Sequence, residues 1–170
     1  MDRTEFNELY QAEYIRIRRI CLGYAGGDDS VADELTQQVF IAVWENLPKF
    51  RGDSQLATWM YRIAVNTCLN YLRKVRRQRE VRLEPEFLKD SASEGEPSSE
   101  TDQLRQRQLQ WLYRMIQELT PMNRTIILLE LEGLPQKEIA SISGVSHTAV
   151  RTRLHRIKAD LQKRMQHEKF

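Results

Sequence analysis

The chain has 170 residues, with 26 lysines and arginines against 24 aspartates and glutamates, 41% hydrophobic and 29% charged residues, seven glycines and five prolines. This composition excludes collagen-like, fully disordered and disulfide-scaffold proteins, and the length suits one ordinary domain or two small ones of roughly 60–80 residues. No apolar run approaches the roughly 18–20 residues that span a bilayer, and the opening MDRTEFNELY has no apolar signal core, so a soluble, cytoplasmic protein is expected. Cys21 and Cys68 are too few and too isolated for a disulfide framework or a four-ligand zinc site, and are expected to be reduced thiols on helices.

Charge is unevenly distributed. Residues 1–83 carry 13 basic and 11 acidic side chains, residues 84–104 one and seven, and residues 105–170 twelve and six. Two neutral-to-basic blocks therefore flank an acidic connector, a pattern that suits a polyanionic partner. The connector, EPEFLKDSASEGEPSSETDQL, holds too little apolar surface to offset the entropy of ordering, and reads as a flexible linker spanning at most roughly 70 Å.

Helical spacing recurs throughout, and alternating strand patterns are absent. Phe6, Tyr10, Tyr14, Ile17, Cys21 and Tyr24 step by three or four and predict one amphipathic helix ending at Gly26-Gly27. Ser30 is the expected cap of a second helix running to Leu47, before Pro48. Its core stripe is Val31, Leu35, Val39, Ala42 and Val43, while Phe40, Ile41 and Trp44 point elsewhere beside Glu34 and Gln37. A helix apolar on two faces is either enclosed or docks on a partner.

After the loop FRGDSQ, with Asp53 or Ser54 as cap, a third helix is expected from Leu56 to Arg79. Ala57, Tyr61, Ala64, Cys68, Tyr71 and Val75 form its core stripe. Opposite lie Trp59, Arg62, Asn66, Asn70, Arg73 and Arg77, a line suited to nucleic acid: guanidiniums for phosphates, amides for base edges and an indole for stacking. A solvated charged face with Trp59 tucked against the loop fits the same pattern. The run RKVRRQREVR, with six cations and one acid, favours a polyanion.

Four shorter helices are expected at 104–119, 121–132, 135–142 and 146–166. In LPQKEIASISGVSHTAVRTRLHRIKADL, Ile139 and Ala140 pack inward, Gly144 supplies a left-handed turn, Val145 plugs the corner and Ser146 caps the last helix. This is the grammar of a helix-turn-helix. Val150, Leu154, Ile157 and Leu161 are its expected buried positions, leaving His147, Thr148, Arg151, Thr152, His155 and Arg156 to face outward as a recognition helix requires. The spacing of His147, His155 and His167 does not make a metal site, and no nucleophile, phosphate loop or carboxylate pair suggests an enzyme. No cofactor is expected. The fold class is all-α: two small helical bundles, 1–83 and 105–170, joined by the linker 84–104, the second containing the helix-turn-helix.

DELTQQVFIAVWENLPKFRGDSQLATWMYRIAVNTCLNYLRK resembles the second region of bacterial RNA polymerase sigma factors of the extracytoplasmic-function type, and LTPMNRTIILLELEGLPQKEIASISGVSHTAVRTRLHRIKADL resembles their fourth region. The resemblance implies that Glu34, Leu35, Gln37, Gln38 and Phe40, with Ile41 and Trp44 beside them, grip core RNA polymerase. It implies that Phe50, Arg51, Gly52, Asp53 and Ser54 capture a flipped base of the −10 element, and that Trp59, Arg62, Asn66 and Asn70 hold the duplex edge, with the stripe continuing through Arg73 and Arg77. Ser146 and the outward residues of the last helix would read the −35 element, and an anti-sigma factor is an implied further partner. Where housekeeping members carry two adjacent aromatics this chain has Trp59 and Met60, which implies weaker melting and reliance on near-ideal promoters. A stand-alone helix-turn-helix regulator binding operator DNA is the alternative. It predicts tight duplex binding by the isolated chain and leaves the apolar facet of the second helix without a role.

Overall fold

The computed structural model describes residues 3–82 and 99–168, which fall into two compact units, one on either side of residues 83–98. Most of the expected linker lies outside the described residues. Its last part does not behave as a connector: Ser99 caps a helix that begins at Glu100, with its side chain accepting the Asp102 N–H at 3.2 Å. The polar composition that reads as unstructured is also the composition of a helix N-terminus, where serine and acids satisfy unpaired donors and complement the dipole.

The first unit consists of α1 (Arg3–Ala25), α2 (Asp29–Asn46), a short 3₁₀ turn over Leu47–Lys49, and α3 (Leu56–Arg82). α1 closes where Gly27 N–H donates to the Leu22 carbonyl at 3.0 Å, with Gly26 and Gly27 at φ of 70° and 89°. α2 starts earlier than expected. Asp28, in extended conformation, accepts from Val31 N–H at 3.1 Å, so it and not Ser30 is the cap. α3 begins with Trp59 N–H bonded to the Gln55 carbonyl at 3.1 Å, which puts Gln55 in the cap position rather than Asp53 or Ser54. α3 runs three residues beyond Arg79 and is about 40 Å long.

The core of this unit is continuous across all three helices: Ile17, Ile20, Cys21 and Tyr24 of α1, Leu35, Val39 and Val43 of α2, and Met60, Tyr61, Ala64, Val65 and Cys68 of α3 are buried. Arg18 locks the α1–α2 pair from the rim, donating from Nε to Asp33 at 2.6 Å and from Nη2 to Asp29 at 2.7 Å. Those two carboxylates, Asp33 first, raise the guanidinium's pKa further above its ordinary range. The Tyr61 hydroxyl donates to Glu13, tying α3 to α1. The fold also unites the two cysteines read as isolated: both are free and buried, and their sulfurs stand 3.8 Å apart.

The second unit contains α4 (Glu100–Glu118), α5 (Pro121–Leu131), α6 (Gln136–Ser143) and α7 (His147–His167). Thr120 caps α5, accepting from Asn123 N–H at 3.4 Å, with Pro121 in the first turn where its missing N–H is harmless. Arg124 is buried and donates to the Gln117 and Leu119 carbonyls, setting a cation on the carbonyls that end α4. Ile126, Ile127, Leu128, Leu129, Leu134, Ile139, Val150, Leu154 and Ile157 make the core. Pro135 supplies no side-chain cap to α6. Its carbonyl accepts from Glu138 and Ile139 N–H at 2.8 and 3.0 Å, so α6 starts on backbone bonds alone.

The α6–α7 corner turns at Gly144, whose φ is 75°. A Cβ there would meet nothing within 4 Å, so the restriction is purely one of backbone conformation. Gly144→Ala is therefore expected to destabilise the second unit by about 1–2 kcal/mol, and Gly144→Asn by less, because asparagine tolerates the left-handed region. Urea unfolding followed by circular dichroism checks this, and an unchanged alanine variant would contradict the turn geometry.

Candidate functional site

Three surfaces bring the sequence-singled residues together, two on the first unit and one on the second.

The first is a groove of about 550 Å³ between α1 and α2. On α1, Phe6, Tyr10 and Tyr14 recur every four residues and so share one face. On α2, Phe40 and Trp44 do the same. Tyr10 packs on Phe40 with ring centroids 4.5 Å apart, Tyr14 stacks on it at 6.2 Å, and the Phe6 ring meets Trp44 edge-on at 4.8 Å. Burial, with Tyr14 alongside, raises the Tyr10 phenol above its ordinary pKa.

Two expectations change here. Phe40, expected to point away from the core, is only 6% exposed beneath the α1 tyrosines, and Leu35 is 2% exposed. Neither is available to grip a partner directly. The outward face of α2 consists instead of Glu34, Gln37, Gln38, Ile41 and Trp44, with Ile41 and Trp44 about half exposed. Gln38 donates to Glu34 at 3.1 Å along this face. The periodicity of α1 predicts a single amphipathic face and does not show that Phe6, Tyr10 and Tyr14 line a groove. Their spacing continues that of Ile17, Cys21 and Tyr24, and only burial separates the half-exposed aromatic half from the fully buried one.

The second surface runs from the loop after α2 along α3. Gly52 at φ 77° turns the loop so that Arg51, Gly52 and Asp53 are exposed while Phe50 and Ser54 are half buried. Phe50 and Trp59 face each other at 5.2 Å, which anchors the loop to the first turns of α3. Trp59 thus leans on the loop and keeps part of its surface open. Met60, beside it, is fully buried and belongs to the core rather than to the stripe. Beyond them Arg62 is half buried, and Asn66, Asn70, Arg73 and Arg77 are exposed. Arg73 donates to Asn70 at 2.8 Å, and with Lys74, Arg77 and Gln78 they line a shallow depression of about 310 Å³ that has no acidic wall.

The third surface is the exposed face of α7. Ser146 caps this helix, accepting from Ala149 N–H at 3.1 Å, and Val150, Leu154 and Ile157 bury its inner face. His147, Thr148, Arg151, Thr152, His155 and Arg156 are all exposed, as the spacing requires. Three further cations of α7 have partners within the unit. Arg153 donates to Asn123 at 2.8 Å, Lys158 pairs with Glu130, and Arg164 pairs with Glu118 and Asp160. These ties hold the helix against α5 and α4 and leave the outer face of its first half exposed. Sequence patterning did not find them, since an arginine facing a neighbouring helix looks no different from one facing solvent.

An all-helical chain with an aromatic groove and cationic stripe in one unit and a projecting helix-turn-helix in the other has the layout of a transcription factor that engages both DNA and a protein machine. Comparison with known proteins agrees. Residues 9–78 match the sigma-70 region 2 family, and residues 109–161 match sigma-70, region 4. The chain is 30% identical over 171 aligned positions to the ECF RNA polymerase sigma-E factor of Escherichia coli K12, covering 97% of this chain and 88% of that one. It is 34% identical over 145 positions to the RNA polymerase sigma-H factor of Pseudomonas aeruginosa, covering 82% and 75%. Among solved structures, the fold is similar to the sigma factor RpoE of Bartonella quintana, crystallised with the anti-sigma factor NepR (TM-score 0.79, 18% identity, 97% and 99% coverage). It is also similar to CnrH in complex with the cytosolic domain of CnrY (TM-score 0.71, 19% identity, 99% and 92% coverage). The chain belongs to the sigma-70 family of RNA polymerase sigma factors, in its extracytoplasmic-function branch, and directs promoter-specific transcription. No helix among the described residues is long and apolar enough to cross a membrane.

Burial separates structural from contact roles on α2. Phe40→Ala should cost about 3 kcal/mol or more of first-unit stability, the range for deleting an enclosed aromatic ring. Trp44→Ala, on the open rim, should cost roughly 1 kcal/mol. Chemical denaturation of the two variants tests the ranking, and equal losses would contradict the packing of Phe40 under the α1 tyrosines.

Proposed function

We propose that the three surfaces divide the work of promoter recognition. The outward face of α2, Glu34, Gln37, Gln38, Ile41 and Trp44, is the handle for core RNA polymerase, with Leu35 and Phe40 holding the helix from beneath. Half-exposed Ile41 and Trp44 carry this reading: large apolar groups flanked by amides and an acid are a costly surface in water and a suitable one for a partner helix.

The loop Phe50, Arg51, Gly52, Asp53 and Ser54 takes a flipped base of the −10 element against the Phe50–Trp59 pair. Trp59, Arg62, Asn66, Asn70, Arg73 and Arg77 then lead the strand and the duplex edge along α3. Unstacking and unpairing a base costs a few kcal/mol, which ring stacking and phosphate contacts offset. Trp59 is the sole aromatic on the outward side of this turn, because Met60 faces the core. Strand opening therefore depends on promoters close to the preferred sequence.

Ser146, His147, Thr148, Arg151, Thr152, His155 and Arg156 read the −35 element in the major groove, Ser146 by capping the helix whose N-terminal half meets the bases and phosphates. The chain catalyses no reaction on the promoter itself, works in the cytoplasm, and is held off by an anti-sigma factor. The structural neighbour RpoE, crystallised with the anti-sigma factor NepR, supports that last point.

In a pull-down with core polymerase, Gln37→Ala combined with Trp44→Ala should reduce retention at least tenfold while leaving the chain folded. Unchanged retention would remove the assignment of α2, and tight binding of isolated chain to duplex without polymerase would favour the stand-alone regulator.

For the holoenzyme, Arg151→Ala should weaken −35 discrimination by about 1–3 kcal/mol, the worth of one good bidentate base contact. Transcription from promoters mutated one position at a time reads this. A uniform loss at all positions would reduce Arg151 to a phosphate contact.

A further inference from the structure

Cys21 on α1 and Cys68 on α3 take no part in the three surfaces. They are 47 positions apart in the chain, yet the Cys68 thiol is directed at the Cys21 sulfur across 3.8 Å. Both residues are fully buried, where α1 and α3 meet and Thr36 of α2 stands beside Cys21. Packing alone asks only for small apolar groups at such a crossing, as Ala64 one turn before Cys68 illustrates. Two thiols aimed at one another are a chemically distinct choice.

We propose that Cys21 and Cys68 form a redox site, a buried dithiol that hydrogen peroxide or a related peroxide converts to a disulfide stapling α1 to α3. The sulfurs need to close from van der Waals contact to a bond of about 2 Å, a movement that side-chain rotation can supply when they already face each other. The two thiols are inequivalent. Cys68, as donor to the other sulfur and as a buried group, is raised well above the ordinary thiol range, whereas Cys21, as acceptor, is lowered. Arg18, one turn before Cys21, adds positive potential although it is bonded to Asp33 and Asp29.

Cys21, the sulfur with Arg18 one turn away, is assigned the attack. Its thiolate attacks one peroxide oxygen, the O–O bond breaks, and a sulfenic acid forms while hydroxide leaves and takes up the proton Cys21 had lost. The Cys68 sulfur then attacks the sulfenic sulfur. The S–S bond forms, the S–O bond breaks, and the hydroxyl leaves as water with the Cys68 proton. In sum, two thiols and one peroxide give one disulfide and two waters. Because both sulfurs are enclosed, the reaction proceeds through local opening and is slower than oxidation of an exposed thiol. The link closes a long loop and so constrains the unfolded chain rather than the folded one.

The test uses the full chain, folded, reduced and then exposed to hydrogen peroxide. After quenching, denaturation and alkylation, peptide mass spectrometry without reductant should find Cys21 joined to Cys68 with the loss of two hydrogens. The oxidised chain should melt on the order of 10 °C higher in the transition of the first unit. Dithiothreitol should restore the original melting curve, which distinguishes the disulfide from methionine oxidation. Cys21→Ala and Cys68→Ala should show no reductant-reversible shift, and if either fails to fold, wild type with and without dithiothreitol decides. The proposal is overturned if both thiols remain alkylatable, if either cysteine ends as an unpaired sulfinic acid, if the cross-link joins two chains, or if the linked protein melts lower.

Discussion

The first unit depends on the packing of α1 against α2 and α3 over a single apolar seam. Ile17, Ile20, Cys21 and Tyr24 meet Leu35, Val39 and Val43 from one side and Met60, Ala64 and Cys68 from the other. Burial of this kind is worth roughly 25 cal/mol per Å² of apolar surface and has no direction of its own. Direction comes from the polar rim, where Arg18 bridges to both Asp29 and Asp33 and Tyr61 reaches Glu13. Those fixed partners set the rotation of each helix about its axis. Once the rotation is set, the faces of α2 and α3 that point away from the seam are set too, and these are the faces proposed to meet the polymerase and the promoter.

The second unit solves the same problem with fewer residues. α5 and α6 are short, and the longer α7 packs across both of them. Burial of Val150, Leu154 and Ile157 alone would let a helix of this length rock. The bonds from Arg153, Lys158 and Arg164 to α5 and α4 resist that motion. Exposed ion pairs contribute little to stability, but several distributed along one helix define its orientation. For the base-reading role proposed for α7, that orientation matters more than stability, because hydrogen bonds to base edges depend on geometry.

Much of this was legible in the residues. The breaks at Gly26-Gly27, Pro48, Pro121 and Gly144 punctuate the chain, and the stripes of apolar side chains give the inward faces between them. The six outward residues of α7 follow from one cap and one buried period. Where the reading failed, the competing signals were local and alike in kind. Asp28 and Ser30 are both good caps, and which one is used depends on where α1 releases the chain. Ser99 and its acidic neighbours look like linker because the composition of a helix start and of a polar loop overlap.

What the residues alone determined is the list of elements, their inward periodicity, the pairing of a basic stripe with a helix-turn-helix, and through them the family. These properties are local, set by spacing of three and four along one chain. The tertiary structure alone decided which apolar side chains of α2 are support and which are surface. It turned Phe40 inward beneath Tyr10 and Tyr14, left Ile41 and Trp44 at the rim, directed Met60 to the core while Trp59 met Phe50, and brought Cys21 to Cys68. Contacts between residues dozens of positions apart depend on how helices cross, and no periodicity within a single helix encodes the angle at which another will meet it.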